Sequence, residues 1–215
     1  MPDQFPVTIM KFGGSCFVNS AAFKKIEDIT NLYASDKKIY VASALNGITN
    51  KLIEVAEKAN KHDADGTLKV IKDIEKKHTD TIREIFGHNH EMFKEAEGYV
   101  REKITEISTV CEDIEEFGLE PYFLDFIMSF GEKLSTYLLY LFLKMQGFSA
   151  QFFTGEELII TNDEYGDALP DFKFTYRRIE NAIKPVIDSP ADDTIFCVTG
   201  FIGRNKIGFT TTLGR

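Results

Sequence analysis

The sequence predicts a parallel α/β fold with a helical insertion, and three observations predict it. Short apolar runs at Val7–Phe12 and Ile39–Ala42 each end in a polar or glycine turn, and each turn leads into an amphipathic helix. A third such run, Ile195–Thr199, comes near the other end. Between them lies a long charged segment whose apolar residues recur at helical spacing.

The elements follow in order. Val7–Phe12 reads as a buried strand. Asn19 or Ser20 is placed to cap a helix over about 21–33, with Phe23, Ile26, Ile29, Leu32 and Tyr33 on one face. The run Ile39–Ala42 turns at 43–47, and a helix over about 49–60 follows. Residues 51–118 carry 11 basic and 17 acidic side chains. There, Leu68, Ile71, Ile74, His78, Ile82 and Ile85 share one helical face. Val100, Ile104, Ile107, Cys111 and Ile114 share another. This predicts an antiparallel helix pair, broken around Gly87–Phe93, that forms an insertion over 61–118 with a solvated charged face. A further helix spans about 122–145, with an interruption expected near Phe130–Gly131. Gln151–Phe153 reads as a strand and 161–171 as a loop. Tyr176, Ile179, Ile183 and Val186 mark one more helix before the strand Ile195–Thr199. There is no internal repeat and no low-complexity tract, so the 215 residues read as one continuous unit.

Composition narrows the function. Apolar residues make up 43% of the chain, including 19 Phe, which is ample for a core. The net charge of −9 disfavours nucleic acid and anionic membrane surfaces as partners. Cys16, Cys111 and Cys197 are widely spaced, form no zinc pattern and read as reduced thiols of a cytoplasmic protein. The start lacks the pattern of a signal peptide, and the apolar run Tyr137–Leu143 is too short to span a bilayer. His62, His78, His88 and His90 read as structural, with His78 on an apolar face.

The chemistry concentrates in four stretches. In "KFGGS" (11–15), glycines after a strand let backbone N–H groups approach an anion, the next helix adds its positive end, and Lys11 sits at the strand's tip. The lysine precedes the glycines, so this is not a Walker A loop, and no dinucleotide fingerprint is present. Alone, the stretch equally fits a tight turn with a surface lysine. "SALNGITN" (43–50), "SFGEKLS" (129–135) and "VTGFIGRNKIGFTTTLGR" (198–215) are also polar where an element begins or ends. Three of the four follow strands, and ligands of open α/β sheets bind at the carboxyl ends of the strands.

In this order, the four stretches resemble the aspartate kinases of the amino acid kinase family. The loop "TNDEYGDALPD" (161–171) is similar to a loop of that family too. The resemblance runs from Val7 to Arg215 and implies a three-layer αβα fold with a mainly parallel central sheet. It also implies a reaction: transfer of the ATP γ-phosphoryl group to the β-carboxylate of L-aspartate, the first step toward lysine, threonine and methionine. Carried over by position, Lys11 would stabilise the phosphoryl group in flight. Gly13, Gly14 and Ser15 would shape the phosphate cradle. Ser43 and Gly47 would line the cleft, Ser43 beside the phosphates. Thr49 and Glu132 would hold aspartate, with Glu132 facing its ammonium, and Arg215 would pair with a substrate carboxylate. ATP would arrive with Mg2+ as a substrate complex, without a protein metal site, and the family resemblance implies homodimers.

This sequence departs from the family at three positions: Cys16 stands for Ser, Asn46 for a small residue, and Phe209 for Arg. The family pattern continues past the position of Arg215 with G-G-S-D and the strands that hold the adenosine. The 215 residues are therefore expected to be the amino-terminal portion of a catalytic domain, with little kinase activity alone. Two other readings stand beside this one: a kinase for another amino acid or a nucleoside monophosphate, and a non-catalytic aspartate-binding or oligomerising module. A scaffold without a small ligand fits poorly with Lys11, Glu132 and Arg215.

Overall fold

The computed structural model describes residues 6–214. Its main sheet contains β1 (Val7–Phe12), β2 (Lys37–Ala42), β5 (Ile195–Thr199) and β3 (Ala150–Phe153) in the spatial order β1-β2-β5-β3, all parallel. The connections are helical. α1 (Ser20–Leu32) joins β1 to β2, and Asn19 caps it by accepting from the Ala22 N–H at 3.0 Å. After β2 come α2 (Ile48–Asn60), α3 (Ala64–Phe86), α4 (His90–Phe117) and α5 (Pro121–Met145). α6 (Gly155–Leu158), β4 (Ile160–Thr161), α7 (Phe172–Ala182) and α8 (Lys184–Ile187) lie between β3 and β5. The chain closes with β6 (Ile202–Asn205) and β7 (Thr210–Thr212).

Alternation along the strands builds three layers. Tyr40, Ala42, Ile195 and Cys197 face one large core shared with α1 to α5. Phe196 and Val198 face the other way, into a smaller core formed with Leu158, Ile179, Ile183 and Val186. Helices thus cover both faces, as expected for a parallel sheet. The insertion is not a satellite: Ile74 and Ile82 of α3, and Ile107 and Ile114 of α4, belong to the same core as Leu134 and Leu138 of α5.

Several expectations need correction. α5 runs unbroken through Phe130–Gly131. Gly131 is there for proximity, because a Cβ would lie 2.7 Å from the Ala44 Cβ. Leu68 is 50% exposed; Thr67 and Val70 join Ile71 on the inward face of α3 instead. The last predicted helix is two helices that meet at Ile183, and Tyr176 is exposed. A second sheet, β4-β6-β7, was not anticipated. In it β4 runs parallel to β6 and β6 antiparallel to β7. Among the described residues, no helix is long and apolar enough to cross a membrane.

Candidate functional site

Register decides where the site forms. Phe12, Ala42 and Thr199 lie side by side across β1, β2 and β5, so all three strands end at one level. The ladder runs one step further: the Ser43 N–H donates to the Phe12 carbonyl at 2.9 Å, and the Gly200 N–H to the Ala42 carbonyl at 2.8 Å. The turns after these strands therefore open on one side.

A cleft of about 440 Å³ opens there, lined by Lys11, Ser43, Thr49, Glu132, Phe201, Leu213 and Gly214. Lys11 is exposed at the tip of the edge strand. Glu132 is only 4% exposed, and its Oε1 accepts the Ala44 N–H at 3.1 Å, so α5 is pinned to the turn after β2. Ser135, one turn on, donates to the Ser43 carbonyl at 2.8 Å. Gly14 also presses on this turn: a Cβ at Gly14 would lie 2.7 Å from the Ala44 carbonyl oxygen. An ammonium at Lys11, a buried carboxylate at Glu132 and a hydroxyl at Thr49 make a cleft suited to a small zwitterion beside an anion.

The remaining predicted residues lie around this cleft in different ways. Gly13 precedes the 3-10 turn Gly14–Phe17 in an extended conformation. Gly13 and Gly14 are not among the cleft-lining residues, and Ser15 lines a neighbouring cavity with Cys16 and Lys25. Gly47 takes the left-handed conformation just before α2. Arg215 lies outside the described residues. Two cleft residues escaped sequence reasoning, Phe201 and Leu213. Phe201 has φ 65°, a conformation for which a phenylalanine gives no sequence signal, and its carbonyl accepts the Leu213 N–H at 2.8 Å.

The threonine run is inward-facing. Thr210, Thr211 and Thr212 are all buried, and their hydroxyls serve three different elements. Thr210 donates to the Glu156 carboxylate of α6, which also pairs with Lys133 of α5 at 2.9 Å. The Thr211 hydroxyl bonds that of Thr161 in β4 at 2.7 Å. Thr212 donates through Oγ1 to Asp125 Oδ1 at 2.9 Å and through its N–H to Asp125 Oδ2 at 2.8 Å. Asp125 Oδ2 also accepts the Gly166 N–H at 2.9 Å. Burial pushes the Asp125 carboxyl above the usual range, and those three donors oppose the shift. These hydroxyls hold the cleft wall together and do not point to ligand chemistry of their own.

The amino acid kinase family model matches residues 6–215. The chain belongs to the amino acid kinase family. Relatives of this family member are aspartokinases. The lysine-sensitive aspartokinase 3 of Escherichia coli is 28% identical over 209 residues, covering 97% of this chain and 43% of the relative. The chloroplastic aspartokinase 1 of Arabidopsis thaliana is 28% identical over 216 residues, covering 96% of this chain and 35% of the relative. Among solved structures, E. coli aspartokinase III in complex with aspartate and ADP (R-state) superposes with a TM-score of 0.84 at 26% identity, over 97% of this chain and 44% of that one. The same enzyme with lysine and aspartate (T-state) gives 0.77. The chain thus spans less than half the length of these relatives.

Proposed function

We propose that the cleft binds L-aspartate beside the γ-phosphoryl group of ATP, for transfer to the β-carboxylate. The observation that carries this reading is the meeting of Lys11, Thr49 and Glu132 in one cleft at the carboxyl ends of the parallel strands. The aspartokinase relatives, and the neighbouring structure that holds aspartate and ADP, support it. In this reading Glu132 faces the substrate ammonium, Thr49 donates to a carboxylate, and Arg215 pairs with the other. Lys11 neutralises the phosphoryl oxygens as the group moves. The nucleophile is a carboxylate already ionised at neutral pH, so the site needs orientation and charge more than a general base. Gly13, Gly14 and Ser15 would form the phosphate side, and Mg2+ would come with the nucleotide.

Calorimetric titration tests the substrate. L-Aspartate is expected to bind at one site, and L-glutamate, one methylene longer, to bind about tenfold or more weakly. Equal affinities would favour a kinase for another amino acid. Binding is the informative readout, since it reports on the cleft itself.

A further inference from the structure

We propose that Asp125 is a positioning residue of the cleft, which sets the path of residues 212–214 along its wall without touching the bound amino acid. That the bound molecule is aspartate rests on the function proposed above; the clamp itself does not.

Asp125 is 1% exposed and interrupts the apolar run Tyr122–Met128 of α5. A buried carboxylate persists only where donors satisfy it. Here all three donors come from outside α5: the Thr212 N–H, the Thr212 hydroxyl and the Gly166 N–H. Asp125 precedes Glu132 by seven residues, two helical turns, so the two carboxylates lie on nearly the same face about 10 Å apart along the axis. One helix thus carries the cleft's acidic group and, two turns away, the clamp on its wall. The wall residues Leu213 and Gly214 follow Thr212 directly. Leu213 in turn is tied to Phe201, so the clamp reaches both non-polar positions of the cleft.

Hydrogen bonding, not charge, would do the holding, and this separates two variants. In Asp125→Asn the amide oxygen can accept both N–H groups, while the amide nitrogen donates to a rotated Thr212 hydroxyl. In Asp125→Ala the buried Thr212 N–H and the part-buried Gly166 N–H lose their acceptor.

The test uses the full chain and two readouts. Hydrogen exchange is followed at the amides of 210–214 and of β5, and L-aspartate affinity is measured by calorimetry. Asp125→Ala is expected to speed exchange at 210–214 by about tenfold or more, leave β5 unchanged and weaken aspartate by a similar factor. Asp125→Asn is expected to stay within about threefold of the parent on both. Unchanged exchange at 210–214 in the alanine variant overturns the clamp. Faster exchange with unchanged affinity overturns its effect on the cleft, and an asparagine variant as impaired as alanine overturns the hydrogen-bond basis. Should the alanine variant fail to fold, Thr212→Val, which loses only the hydroxyl, is read for the same local rise at about threefold, and its absence overturns the clamp. If the parent itself does not bind aspartate, the proposed substrate fails while exchange still decides the clamp.

Discussion

The helical layer α2 to α5 meets the cleft through Thr49 and Glu132, and the β4-β6-β7 sheet meets it through the flanking Phe201, Leu213 and Gly214, yet the two are held by different forces. The helical side is held mainly by apolar packing: Leu52, Ile74, Ile82, Phe86, Ile107, Phe130 and Leu138 are fully buried in one core. The sheet side contributes short strands in which half of the buried positions are threonines. Its cohesion comes from Asp125, Glu156, Lys133 and the Thr161–Thr211 hydroxyl pair. Hydrophobic burial is non-directional and tolerates small shifts, whereas hydrogen bonds fix a backbone to within tenths of an ångström. The helical side of the cleft can thus be set by bulk packing, while the wall at 201 and 212–214 is set by direction.

The largest effect should come from the apolar side. Phe130→Ala removes a fully buried ring and should cost about 3–5 kcal/mol. Urea denaturation should show the whole molecule losing stability together. A loss confined to α5 would break the picture of one shared core.

A pH effect of middle size belongs to the same side. His78 is buried on α3, its Nδ1 at 2.8 Å from the Ile74 carbonyl, and burial lowers its pKa to about 4. The unfolded imidazole takes its proton near 6.5, so between about pH 6.5 and about pH 4 the unfolded state binds more protons. Stability is full above that window and falls as pH drops through it, by about 2 kcal/mol from pH 7.5 to pH 5. His78→Leu should lack this share of the pH dependence. An identical slope in parent and variant, from denaturation at both pH values, would remove His78 from the account.

The smallest effect sharpens the contrast. Thr211→Val keeps shape but loses one buried hydroxyl bond, for about 1 kcal/mol. Faster exchange at 210–212 with β5 unchanged is the expected outcome. A global change would mean that the wall and the helical side are not separable.

The same contrast explains what could be read from sequence. The strands β2 and β5 and the long helices were legible because burial writes itself as apolar runs and helical periods; β1 reads as a buried strand but lies at the sheet edge with only Phe12 buried. Their ends fall within a few residues of expectation. The small sheet was not legible, since "IGRN" and "TTT" bury polar atoms and carry no apolar alternation. Gly131 suggested a break because a glycine demanded by the closeness of Ala44 looks like any other glycine. In the cleft, Lys11, Ser43, Thr49 and Glu132 stand in recognisable stretches. Phe201 reaches it through an unusual backbone angle that no pattern announces. Asp125 did leave a mark, a lone carboxylate in an apolar helical run, but it lies outside the four polar stretches.

The central claim is that a buried carboxylate in this cleft receives the ammonium group of a small acidic amino acid. Paired titrations of L-aspartate into the parent chain and Glu132→Gln test it most directly. The account predicts one site in the parent and an affinity lower by about tenfold or more in the variant, with its fold intact. Equal affinity in the two chains would contradict it.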